Sequence, residues 1–89
     1  MSVKIVTTTG FEIEFDKNVL NNMEVVDTLV ELENGTILAV TKICNLLFSP
    51  EEKKRLYEHV REENGRVPLE KIDKEINEII TLTGNEGKN

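Results

Sequence analysis

Tryptophan is absent from this 89-residue sequence, and three Phe and one Tyr are its only aromatic residues, so the core has few large anchors. A single cysteine, Cys44, excludes an internal disulfide and any cysteine-rich metal motif. No apolar run approaches the roughly 20 residues that span a bilayer, and no charged-then-apolar leader opens the chain. The expectation is a cytoplasmic protein that makes no membrane contact. Positive charge is scarce: 11 Lys and Arg face 17 Asp and Glu, for a formal net charge of -6. Lys53, Lys54 and Arg55 are interleaved with Glu51, Glu52 and Glu58 and form no basic stripe, which argues against nucleic acid as a partner. Gly10, Gly35, Gly65 and Gly84 each stand alone at an element boundary and build no phosphate-cradling loop.

The remaining composition is that of a folding chain, with 38% hydrophobic and 31% charged residues. A chain of this length makes one small domain that buries about 60 to 65% of its unfolded surface. We place that domain at 1–84 and expect a flexible polar tail at 85–89, where nothing can be buried.

The N-terminal pattern has period two. Val3, Ile5 and Thr7 share one face, Thr9-Gly10 breaks the run, and Phe11, Ile13 and Phe15 resume it while Glu12 and Glu14 point away. A lone hairpin is marginal in water, so this apolar face must lie on helices further along the chain.

From Asn21 the period lengthens. Met23, Val26 and Val30 form one stripe with Val25, Leu29 and Leu32 beside it, Asn21 and Glu24 are spaced as a capping pair, and Asn34-Gly35 stops the helix. Thr36 is placed to cap a second helix in which only Thr41, Lys42 and Asn45 are polar between Ile37 and Phe48. Ser49-Pro50-Glu51-Glu52 is a capping box with proline at the first helical position. The third helix it opens has a thin stripe of Leu56, Tyr57 and Val60, a Lys54/Glu58 pair and a stop at Asn64-Gly65. Pro68 opens a last helix with Leu69, Ile72, Ile76, Ile79 and Ile80 on one stripe and Gly84 at its end. The fold class is α+β, an N-terminal β-hairpin followed by about four α-helices.

Chemistry is hard to find in this pattern. Cys44 and His59 fall on different helices without a metal-ligand or nucleophile context, so Cys44 reads as a small buried hydrophobe and His59 as an exposed helix residue. Neighbouring acids such as Glu62 and Glu63 point in different directions on a helix and read as solvated faces. No enzyme, cofactor or metal is expected. The second helix is the exception to this blandness, because a helix apolar on nearly every side must be enclosed. Either it is the central helix, covered by the hairpin and the first and last helices, or part of it stays available to a partner. On the second reading Leu29, Val40, Ile43 and Leu47 contribute to a partner-binding surface.

One stretch and the order of elements resemble a family. A Phe-x-Ile/acidic strand leads into an acidic amphipathic helix from Phe11 to Glu33, followed by Tyr57-Glu58-His59-Val60-Arg61, Gly65-Arg66-Val67-Pro68 and the final Glu/Ile helix. Together, over about Phe11 to Gly84, these resemble the small tail assembly chaperones of long-tailed phages and prophages of Gram-positive bacteria. The resemblance implies a non-enzymatic protein that coats the helical tape measure protein in the host cytoplasm, keeps it soluble until tail tube subunits polymerise around it, and is absent from the virion. It carries over no catalytic residue. Self-association into a homo-oligomer is compatible with the same apolar surface. The alternative reading is a small acidic regulatory adaptor or antitoxin-like protein that docks on one globular partner at fixed stoichiometry.

Overall fold

The computed structural model describes residues 2–86. Strands β1 (Ser2–Val6) and β2 (Glu12–Asp16) form an antiparallel hairpin, and a 3-10 turn at Lys17–Leu20 leads into helices α1 (Met23–Glu33), α2 (Ala39–Leu47), α3 (Pro50–Val60) and α4 (Leu69–Glu86). The α+β class, hairpin first and helices after, is the one the period-two and then three-and-four patterns specify.

The register pairs Val3 with Phe15 and Ile5 with Ile13, which puts one apolar face against the helices. At the tip, the Thr7 N–H donates to the Phe11 carbonyl and the Gly10 N–H to the Thr7 carbonyl, both at 2.9 Å. Gly10 closes this three-residue loop at φ +89°, a left-handed conformation that side chains disfavour.

The N-cap of helix α1 is one residue later than Asn21. The Asn21 N–H is used by the preceding turn, donating to the Asn18 carbonyl at 3.0 Å, and Asn22 instead caps through its side chain, which accepts from the Glu24 N–H at 2.9 Å. Of the two apolar stripes on α1, the structure buries the one containing Val25 and half-buries Leu29 and Leu32, while Met23, Val26 and Val30 face solvent. Thr28 also points inward, its hydroxyl satisfied by the Glu24 carbonyl at 2.7 Å.

Gly35, at φ +89°, ends α1: its N–H donates to Leu32 and the Thr36 N–H reaches back to Glu31, both at 3.0 Å. The Thr36 carbonyl accepts from the Ala39 N–H at 3.0 Å, and the N-cap of the second helix is Leu38, not Thr36. The chain makes a turn through Ile37 and Leu38, and α2 begins only at Ala39, with no side-chain cap. What remains of the apolar helix is enclosed: Ala39, Val40, Ile43, Cys44 and Leu47 are buried, and α1, α3 and α4 all pack on α2.

The capping box forms as expected, with the Glu52 N–H donating to Ser49 Oγ at 3.2 Å and the Ser49 N–H to Glu52 Oε1 at 2.9 Å. Helix α3 ends at Val60, before Asn64-Gly65, because Arg61 turns back: its guanidinium pairs with Glu58 at 2.9 Å and donates to the Gly65 carbonyl at 2.6 Å. Glu58 is therefore held by Arg61 and not by the expected Lys54. The Pro68 carbonyl accepts from the Ile72 N–H at 3.2 Å, which sets Pro68 just ahead of α4 and leaves Leu69 exposed. Ile72, Ile76 and Ile79 are buried as their spacing requires. The helix runs through Gly84 instead of stopping there. Buried Thr83 precedes it, its hydroxyl satisfied by the Ile79 carbonyl at 2.7 Å. Of the expected tail, 87–89 lie outside the described residues.

Candidate interaction surface

Most of the large apolar side chains left in solvent come from one segment. Among the described residues, the exposed large hydrophobics are Val6, Met23, Val26, Val30, Ile37, Leu38 and Leu69, and five of these seven lie between residues 23 and 38. At 100° per residue, Met23, Val26 and Val30 fall within roughly 60° of one another on α1, roughly 140° away from the face packed on the core. Ile37 and Leu38, 62% and 83% exposed, follow in the turn that the Gly35 stop creates.

Ile37 also belongs to a groove of about 220 Å³ between this turn and the start of α4, where Leu32, Val40 and Leu69 supply apolar lining and Glu70 and Asp73 an acidic side. The residues singled out from sequence are placed differently from one another. Val40, 6% exposed, lines this groove, and Leu29 lines a second hollow of about 340 Å³ between α1 and α4. Ile43 is completely buried and Leu47 nearly so, both within the packed core. The apolar surface therefore lies on the outer stripe of α1 and the following turn, with α2 supplying core.

A separate polar cluster ties the hairpin tip to α3 and α4. Thr9 Oγ1 donates to Glu75 Oε2 at 2.8 Å and lies 3.0 Å from His59 Nε2 and 3.1 Å from Thr7 Oγ1. Thr7 Oγ1 in turn accepts from the Phe11 N–H at 3.1 Å, so donors run in sequence toward one carboxylate. Glu78, one turn further along α4, accepts from both the N–H and the hydroxyl of Thr8. Glu75 is 2% exposed, and its Oε1 has no hydrogen-bond partner. The hydroxyl sits between imidazole and carboxylate, whereas a nucleophilic triad needs the imidazole in the middle. The arrangement is suited to clamping the turn. Sequence reasoning missed Glu75, although its position three residues after Ile72 and four before Ile79 puts it on the buried stripe of α4.

The other candidate groups are accounted for by packing. His59 is exposed and lies against Phe11, ring centroids 5.3 Å apart. Cys44 is fully buried, and burial pushes its thiol up to about 11, which keeps the thiolate from forming near neutral pH. Among the described residues, no helix is long and apolar enough to cross a membrane. Comparison with known proteins found no matching family, no similar curated protein and no similar solved structure.

Proposed function

We propose that this chain is a tail assembly chaperone that binds the helical tape measure protein in the host cytoplasm and keeps it soluble, without performing a reaction. One observation carries the reading: Met23, Val26, Val30, Ile37 and Leu38 are exposed together in a short segment, in a domain small enough that leaving them out of the core is costly. A surface helix with an apolar outer stripe is the complement of another amphipathic helix. The net charge of -6 supports the same reading, since an acidic exterior keeps an assembly of many copies soluble. The sequence resemblance supplies the identity of the client.

The test is co-expression with the long helical tape measure protein encoded in the same genome. The expected result is transfer of that protein into the soluble fraction, with many copies of this chain copurifying. An insoluble client beside abundant, folded chaperone overturns the proposal.

A further inference from the structure

The outer stripe of α1 is bordered by one sign of charge. Placed at 100° per residue, Asp27, Glu31 and Glu24 lie along one side of Met23, Val26 and Val30, and Glu33 lies along the other. The helix Met23–Glu33 contains no Lys or Arg. Among the described residues, the one cation within ion-pair reach of these acids is Lys42, 3.7 Å from Glu31, and both side chains are about half exposed. Screening makes such a pair weak, so the acids keep most of their negative potential.

This border decides what can cover the stripe. A second α1 laid against the first would bring two acidic borders together, and like charges flanking an apolar seam oppose pairing. An amphipathic helix whose apolar seam is flanked by Lys and Arg would bury the same three side chains and pair with the acids. We propose that the occupant of α1 is such a basic-flanked helix in a partner chain. This rests on the client-binding reading and specifies which client segments are taken.

The experiment uses the full chain and two helical peptides of about three heptads with identical Leu seams, one flanked by Lys and one by Glu, followed by fluorescence anisotropy. The Lys-flanked peptide is expected to bind at least about 10-fold more tightly at about 0.1 M salt, and the gap to close near about 1 M, where the screening length falls to about 3 Å. The triple variant Asp27→Lys/Glu31→Lys/Glu33→Lys, which keeps Glu24 at the helix start and turns the border from four acids to three Lys and one Glu, is expected to reverse the preference while its circular dichroism is unchanged. A merely structural role for these acids would not reverse it. Equal binding of both peptides at low salt, or no reversal, overturns the charge rule and leaves client binding standing. Binding of neither peptide, with the tape measure protein still solubilised on co-expression, places the client elsewhere and overturns this inference alone. A dimer in sedimentation that Val30→Asp dissolves makes a second copy the occupant and also overturns it. Loss of both peptide binding and solubilisation overturns the chaperone reading as well.

Discussion

Glu75 carries a carboxylate into the packed side of α4, and Thr9 supplies its one direct hydrogen bond, to Oε2. Removing the hydroxyl with Thr9→Val leaves a buried carboxyl group without that donor, which costs about 1 to 3 kcal/mol. Replacing the carboxylate with Glu75→Leu removes the group that needed a donor and costs less, because an apolar side chain of similar size suits the site. In the Glu75→Leu background Thr9→Val then changes little. Urea denaturation of the two single variants and the double variant measures this directly: a coupling of about 1 to 2 kcal/mol is expected, and additivity within about 0.3 kcal/mol contradicts the clamp. At this scale the sequence was informative wherever period alone decides burial, as for Ile72, Ile76, Ile79 and Cys44. It was silent on Glu75 because a charged residue on an apolar stripe reads as an interruption until its partner, 66 residues away, is known.

The clearest element boundaries are those fixed by bonds within a few residues. Ser49 and Glu52 satisfy one another across the start of α3, and Pro50 occupies the position where a missing N–H is harmless. Ser49→Ala therefore costs about 1 kcal/mol, and in a domain of this size thermal unfolding followed by circular dichroism should shift down by about 4 to 8 °C. A shift under about 1 °C would show that the cap contributes little. The same locality explains what was legible and what was not. Gly35 stops α1 through bonds to Leu32 and Glu31 made by itself and Thr36, and that is readable from Asn34-Gly35. The start of α2 depends on what the preceding stop leaves free. The Ala39 N–H donates to the Thr36 carbonyl and the Val40 N–H to the Ile37 carbonyl, so a turn takes up Ile37 and Leu38 and α2 starts after them without the expected cap. Arg61 likewise ends α3 early through a contact with Gly65 that no local pattern announces.

At the scale of the molecule, burial divides the apolar residues into those that hold the fold and those left in solvent. Hairpin and helices could be anticipated because each announces its own period, but α1 carries two apolar stripes, and only the packed neighbours choose between them. That choice turns Val25 inward and Val30 outward. It also makes Ile43 a core residue, since α2 is enclosed by α1, α3 and α4. On the proposed function, folding and client binding are then separable by mutation. Ile43→Ala opens a cavity in the core and costs about 2 to 4 kcal/mol, a large part of the stability of a domain this small. The paired variant Val30→Ser/Leu38→Ser changes only solvent-facing positions and leaves stability within about 0.5 kcal/mol, since nothing packed on those side chains is lost. Chemical denaturation checks the first half of this claim, and co-expression with the tape measure protein checks the second. The serine variant is expected to be as stable as the parent and to leave the client insoluble. A destabilised serine variant would mean that the outer stripe belongs to the core, and a stable one that still solubilises the client would move the binding surface off residues 30 and 38.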